Sequence, residues 1–155
     1  MMARRVYFSF HFEKDLWRAN QVRDCHAIAP QDIEGFFDPA EYEKANQEGD
    51  EEVKRLIHEK LKDTTVTVVL IGTETKKQPS VEYTIEQSIA QKSGLLGVYI
   101  NHLKDQDSQA SPIGPVPIVP PSVQFPTYKW DGKEKMFAML IEAAGKRSDV
   151  LRSKQ

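Results

Sequence analysis

The chain contains 155 residues, and its 21 basic and 23 acidic side chains leave a net charge of −2 at pH 7. This length predicts a single domain with a full hydrophobic core. The two charge signs are interspersed, so there is no global field to attract nucleic acid or a membrane. The single cysteine, Cys25, can form no internal disulfide and indicates a reducing, intracellular setting. No segment is apolar for the roughly 18–20 residues that cross a bilayer, and a signal-peptide pattern is absent, so we expect a cytoplasmic protein.

The first half of the chain alternates between strand and helix patterns. Residues 6–10 are aromatic and β-branched, which favours a buried strand. Apolar residues then recur at helical spacing from Phe12 to a break near Pro30. Residues 35–39 suggest a short strand and turn. Three acidic residues at 50–52 predict the start of a second helix that ends near Leu61.

The second half continues the alternation. Residues 65–71 form a nearly continuous β-branched run, typical of a central strand covered on both faces. A third helix is predicted around 81–89, a strand at 95–100, and a final helix from Asp131, with Glu134 as its capping-box partner, toward Gly145. This order predicts an α/β fold with a mostly parallel sheet between helices. We expect one domain over residues 1–147 and a frayed tail over 148–155.

A proline-rich segment interrupts this alternation. Residues 101–130 hold six of the nine prolines, a density that excludes a helix or a central strand. Within this segment, we expect residues 106–127 to form a long loop. Loops this long are usually functional or disordered, so the segment is an active-site border, an interaction arm or only a connection.

Candidate ligand-binding residues follow the first strand, because open α/β sheets bind ligands at the carboxyl ends of their strands. Ser9, Phe10 and His11 offer a hydroxyl, an aromatic face and an imidazole to a nucleotide. The alternative is that Phe10 belongs to the core and His11 caps the next helix. No glycine precedes Gly35, which excludes a phosphate loop after this strand. The four histidines are widely scattered and predict no metal site.

Four segments carry a resemblance to a known family. They are RVYFSFH at 5–11, GFFD at 35–38, TVTVVLIGTET at 65–75 and GLLGVYIN at 94–101. Together they resemble the TIR-like proteins of the Thoeris anti-phage system over roughly residues 3–105. The resemblance implies a three-layer, flavodoxin-like TIR fold.

The same resemblance implies a function. Such proteins sense infection through a phage-derived trigger and convert NAD into a cyclic ADP-ribose type signal, which activates a separate effector. NAD would be a substrate, with no permanently bound cofactor, and the protein would self-associate or join a TIR-like partner. A glutamate in the helix after the VLIG strand would stabilise the ribosyl cation, since an anion beside a developing positive charge lowers the barrier.

One position departs from the family pattern. The family shows Trp-Val-x-Tyr-Glu at the start of this helix, whereas residues 80–84 read SVEYT. Tyr83 matches and is expected to contact the nucleotide, but Thr84 stands where the glutamate is expected. Glu82 lies about 160° around the helix from Thr84 and Glu86 about 200°. Only a shifted helix start would bring Glu82 into the site as the catalytic acid.

If the protein is an enzyme, the resemblance implies an NAD glycohydrolase or ADP-ribosyl cyclase. Two alternatives to an enzyme also stay open. One is a catalytically degenerate TIR-like sensor or adaptor that acts through protein contacts or nucleotide binding. The other is a generic nucleotide-binding domain of the flavodoxin-like class.

Overall fold

The computed structural model describes residues 4–154, which form a five-stranded sheet with all strands parallel, in the order β2-β1-β3-β4-β5. The strands are β1 (Val6–Ser9), β2 (Ile33–Glu34), β3 (Val66–Ile71), β4 (Gly94–Tyr99) and β5 (Thr127–Lys129). The helices are α1 (Phe12–Arg23), α2 (Pro39–Glu48), α3 (Asp50–Leu61), α4 (Pro79–Ala90) and α5 (Glu134–Ser153). The strand order reverses between β1 and β3, so the predicted α/β, flavodoxin-like architecture is confirmed.

Helices cover both faces of the sheet, so the side chains that point to opposite sides of β1 and β3 are all buried. On one face Phe8 and Val68 pack with α1 and α5, while on the other Tyr7 and Val69 face α3 and α4. All six residues of β3 are buried. This arrangement explains why the sequence of β3 is continuously apolar rather than alternating.

The final helix differs from its prediction at both ends. It begins at Glu134, because the Asp131 carboxylate accepts a hydrogen bond from the Lys133 amide (3.0 Å) in the turn before it. It passes Gly145 and continues to Ser153, so the frayed tail expected over 148–155 is wrong for residues 148–153. Ser148 is fully buried and donates its hydroxyl to the Lys92 carbonyl (2.7 Å). Residue 155 lies outside the described residues.

Three further elements differ from those predicted from the sequence. Helix α1 ends at Arg23 rather than near Pro30, and α2 was not predicted. The Asp38 carboxylate caps α2 by accepting hydrogen bonds from the amides of Ala40 and Glu41 (2.8 and 3.2 Å). Strand β5 lies at the end of the proline-rich segment, where it forms an edge of the sheet. Within residues 4–154, every helix is too short or too polar to cross a membrane.

Candidate active site

The residues that follow β1 are buried at the switch point of the sheet. Ser9, Phe10 and His11 are each less than 10% exposed. Phe10 belongs to the main core and stacks on Phe12 at a centroid distance of 5.8 Å. The His11 Nδ1 atom accepts a hydrogen bond from the Lys14 amide (3.2 Å) and caps α1. The core and cap interpretations of Phe10 and His11 are therefore confirmed, while contact of these residues with a nucleotide stays a prediction.

Burial also sets the charge state of His11. Removal from water lowers the pKa of its imidazole, and the carboxylate of Asp15 only partly opposes this effect. The neutral ring is the form that can accept the Lys14 hydrogen bond at Nδ1. His11 thus provides an uncharged helix cap at neutral pH.

Thr84 is buried beside a small, uncharged space that Ser9 and Phe10 also line. It is 1% exposed, and its hydroxyl donates to the Ser80 carbonyl (2.7 Å). The cavity that it shares with Ser9, Tyr7 and Ser80 measures only about 20 Å³, roughly the space of one water molecule. Among the described residues that line the cavity, none has a carboxylate. This space therefore offers no carboxylate that could stabilise a ribosyl cation.

Aromatic rings and a buried phenol close the Thr84 cavity. Phe12 stacks on Tyr42 at 4.4 Å between centroids, and Phe37 packs against both rings. Tyr7 lies beneath Thr84, and burial raises the pKa of its phenol, helped by the nearby Tyr42. Both phenols stay neutral at physiological pH.

Glu82 lies in a different place from Thr84. It is exposed and lines an open groove of about 320 Å³ between α3 and α4, with Ser80, Tyr83 and Glu86. The helix start is not shifted: α4 begins at Pro79, and the amide of Glu82 donates to the Gln78 carbonyl (3.1 Å). The structure thus does not bring Glu82 together with Ser9, Phe10 and Thr84. Ser80 lines both spaces and separates them.

The groove beside Glu82 carries both signs of charge. The Lys54 ammonium lies 5.5 Å from the centroid of the Tyr83 ring, within cation–π distance. Asn46 and Asp50 line the end of the groove nearest to α2. Three carboxylates, those of Asp50, Glu82 and Glu86, therefore share a solvent-accessible surface with one ammonium and one aromatic ring.

The proline-rich segment borders the carboxyl end of the sheet. The Ser111 amide donates to the Asn101 carbonyl (2.8 Å), and the Asn101 amide group donates back to the Ser111 carbonyl (3.1 Å). The Thr73 hydroxyl donates to the Pro112 carbonyl, and Gly114 packs directly on the loop after β3. Of the three interpretations drawn from the sequence, the position of this segment favours a border of the switch point.

A buried ion pair holds this border in place, and sequence reasoning missed it. Arg18 bonds to Asp15 (2.7 Å) and also donates to the carbonyls of Leu103 and Gln109 (2.8 Å each) and to the Ser111 hydroxyl (2.8 Å). The only signal in the sequence was an acid and a base three residues apart on α1. That spacing is common on solvent-exposed helix faces.

Comparison with known proteins agrees with the fold and the motifs. The family model described as "Thoeris protein ThsB, TIR-like domain" matches residues 7–105. A curated protein of Bacillus cereus (strain MSX-D12), "Putative cyclic ADP-D-ribose synthase ThsB1", is 38% identical over 136 residues, which cover 86% of this chain and 69% of that protein. The chain belongs to the TIR-like family of Thoeris ThsB proteins.

Proposed function

We propose that this protein converts NAD into a cyclic ADP-ribose type signal during the Thoeris anti-phage response. The observation that carries the proposal is the relative whose printed name is "Putative cyclic ADP-D-ribose synthase ThsB1", which aligns with 86% of the chain. NAD enters as a substrate, so no permanently bound cofactor is required. The product diffuses to a separate effector, and a phage-derived component is the trigger.

The reaction requires an anion near the bond that joins nicotinamide to ribose. When this bond breaks, its electron pair leaves with nicotinamide and a ribosyl cation develops. A nucleophilic atom of the adenine in the same molecule then attacks the cation and closes the ring, which releases one proton. A carboxylate fixed beside the ribose stabilises the transition state more than the neutral substrate.

We assign the catalytic carboxylate to Glu82. Thr84 has no charge and is buried, whereas Glu82 is exposed and lines a groove with Tyr83 and Lys54. In this groove Lys54, which also pairs with Glu51 (3.8 Å), is the lining cation available to the diphosphate, and the Tyr83 ring contacts a base. Thr84, Ser9 and Phe10 line the small space on the other side of Ser80, while His11 caps α1.

The proposal is tested in cells that contain the chain but no effector, so that the signal accumulates. After phage infection, small-molecule extracts are analysed by mass spectrometry for a product with the mass of NAD minus nicotinamide. We expect this product with the natural chain and at least tenfold less with Glu82→Gln. A natural chain that makes no product while still protecting cells that contain the effector would favour the degenerate sensor or adaptor instead.

A further inference from the structure

A second cavity lies at the opposite end of the sheet from the candidate active site. It measures about 610 Å³ and opens beside Gly94 and Leu95, where β4 begins. Its walls are the end of α4, the last turns of α5 and residues 122–124 of the proline-rich segment. This volume is within the range of pockets that bind small molecules.

The walls of this cavity are mainly aliphatic. Val150 and Leu151 of α5 remain 53% and 43% exposed, and Leu95, Ile89 and Val123 complete the apolar surface. None of the described residues that line the cavity has an aromatic ring. Without such a ring there is no surface on which a nucleobase could stack, so the walls favour an aliphatic ligand.

The charges around the cavity are all positive. Lys92, Lys146, Arg147 and Lys154 line it, and no carboxylate does so among residues 4–154. Within the same described range, Lys92, Lys146 and Arg147 form no ion pair with an acidic side chain. An anionic group placed here would meet three or four cations, of which Lys146 interacts at longer range with Glu142.

Arg147 is the most constrained of these cations. It is partly buried, and its guanidinium donates to the Leu95 carbonyl (2.6 Å). Burial lowers the pKa of Arg147, and no neighbouring acid offsets this effect. A partly desolvated cation without a counter-charge is unfavourable, and a bound anion would relieve that cost.

We propose that this cavity binds an anion joined to an aliphatic body, the chemistry shared by alkyl phosphates and fatty carboxylates. The anionic group contacts Arg147 and Lys146, and the aliphatic chain lies against Val150 and Leu151. The site is separate from the Glu82 groove, so this inference does not depend on the proposed reaction.

The test uses octyl phosphate and the whole chain in isothermal titration calorimetry. We expect a submillimolar Kd for octyl phosphate and at least tenfold weaker binding of octanol and of inorganic phosphate, because each probe lacks one half of the ligand. Equal binding of octanol, or binding of NAD in competition with octyl phosphate, would overturn the proposal. So would the absence of any octyl phosphate binding.

Matched variants locate the binding to this cavity. Val150→Asp and Lys146→Gln are expected to weaken octyl phosphate binding at least fivefold, while Met139→Asp and Lys135→Gln, on the same helix but outside the cavity, leave it unchanged. Circular dichroism verifies that each variant is folded. Binding that survives both cavity variants would overturn the assignment.

Vesicles distinguish the two sources of such a ligand. If the natural chain co-sediments with phosphatidylglycerol vesicles and the Val150→Asp variant does not, the ligand is a lipid headgroup with its acyl chain. Octyl phosphate binding without vesicle binding would support a free soluble anion. Vesicle binding that Val150→Asp leaves intact, together with no octyl phosphate binding, would contradict the proposal.

Discussion

The Asp15 carboxylate and the Arg18 guanidinium form an ion pair of 2.7 Å on one face of α1, and each side chain is only 4% exposed. Because Arg18 also bonds to Leu103, Gln109 and Ser111, this pair joins the switch point of the sheet to the start of the proline-rich segment. The pair therefore stabilises the border of the candidate site as well as the core.

Arg18→Met is expected to lower the free energy of unfolding by about 3–5 kcal/mol, because it leaves the Asp15 carboxylate buried without a partner. Urea denaturation followed by circular dichroism measures the change. The control is Arg55→Met, which removes exposed ion pairs and is expected to cost no more than about 1 kcal/mol. Equal losses in the two variants would contradict the structural role assigned to Arg18.

Gly114→Ala tests how closely the proline-rich segment packs on the sheet. An added Cβ would lie 2.3 Å from the Gly72 carbonyl oxygen and 2.5 Å from that of Thr73, so the segment must move. We expect a stability loss of about 1–3 kcal/mol and faster hydrogen exchange at the Ser111 amide. Pro115→Ala, at an exposed neighbouring position, is the control. Unchanged exchange in Gly114→Ala would show that the segment is not held there.

The ion pairs of Arg4 predict a specific dependence of stability on pH. Hydrogen bonds from Arg4 lower the pKa of both Glu142 and Asp149 in the folded protein. A lowered folded-state pKa stabilises the protein above the unfolded-state pKa, and this contribution is lost as the pH falls through the folded-state value.

Arg4→Gln should therefore be less stable than the natural chain at neutral pH, and the difference should shrink toward about pH 3 as the acids become protonated. Urea midpoints measured across this range test the prediction. A difference that stays constant with pH would mean that Arg4 contributes through packing rather than charge.

The elements that could be predicted from the sequence are those whose buried residues form a clear apolar pattern. Strands β3 and β4 were recognised because both faces are covered and nearly every residue is apolar. Helix α2 was missed because Ala45 is its only buried residue, which leaves no apolar stripe to detect. Strand β5 was missed because its three residues form an edge beside many prolines.

The continuation of α5 beyond Gly145 could not be predicted from the sequence for a different reason. Its buried positions after residue 143 are the small residues Ala144, Gly145 and Ser148, which do not give an apolar pattern. A Cβ at Gly145 would lie 2.4 Å from the Arg4 Nε atom, so the glycine lets the Arg4 side chain cross the helix in its present position. A glycine that usually ends a helix serves here as a packing position.

The candidate site was only partly predictable. The sequence correctly placed Ser9, Phe10 and His11 at the end of the first strand, and the cap formed by His11 was one of its two interpretations. It could not show that aromatic rings from α1, α2 and the loop before α2 fill the space around Thr84. Those contacts join residues that are distant in the chain, so no local pattern reveals them.

Thr84→Glu tests whether this space can hold the carboxylate expected from the family pattern. The cavity of about 20 Å³ cannot accept the longer side chain without movement of its walls. We therefore expect the free energy of unfolding to fall by about 1–3 kcal/mol. Thr84→Val, which removes the hydroxyl that bonds to the Ser80 carbonyl and contacts the Tyr7 phenol, should cost about 0.5–1.5 kcal/mol. A Thr84→Glu variant as stable as the natural chain would show that the space opens readily.

The most direct test of the proposed function is nicotinamide release from NAD by the purified chain in the presence of infected-cell lysate. Release is followed by chromatography in the natural chain and in two variants of the same helix, Glu82→Gln and Glu86→Gln. We predict release by the natural chain and by Glu86→Gln, with at least a tenfold loss in Glu82→Gln. Equal release by all three would contradict the role of Glu82, and no release by the natural chain would contradict the conversion of NAD itself.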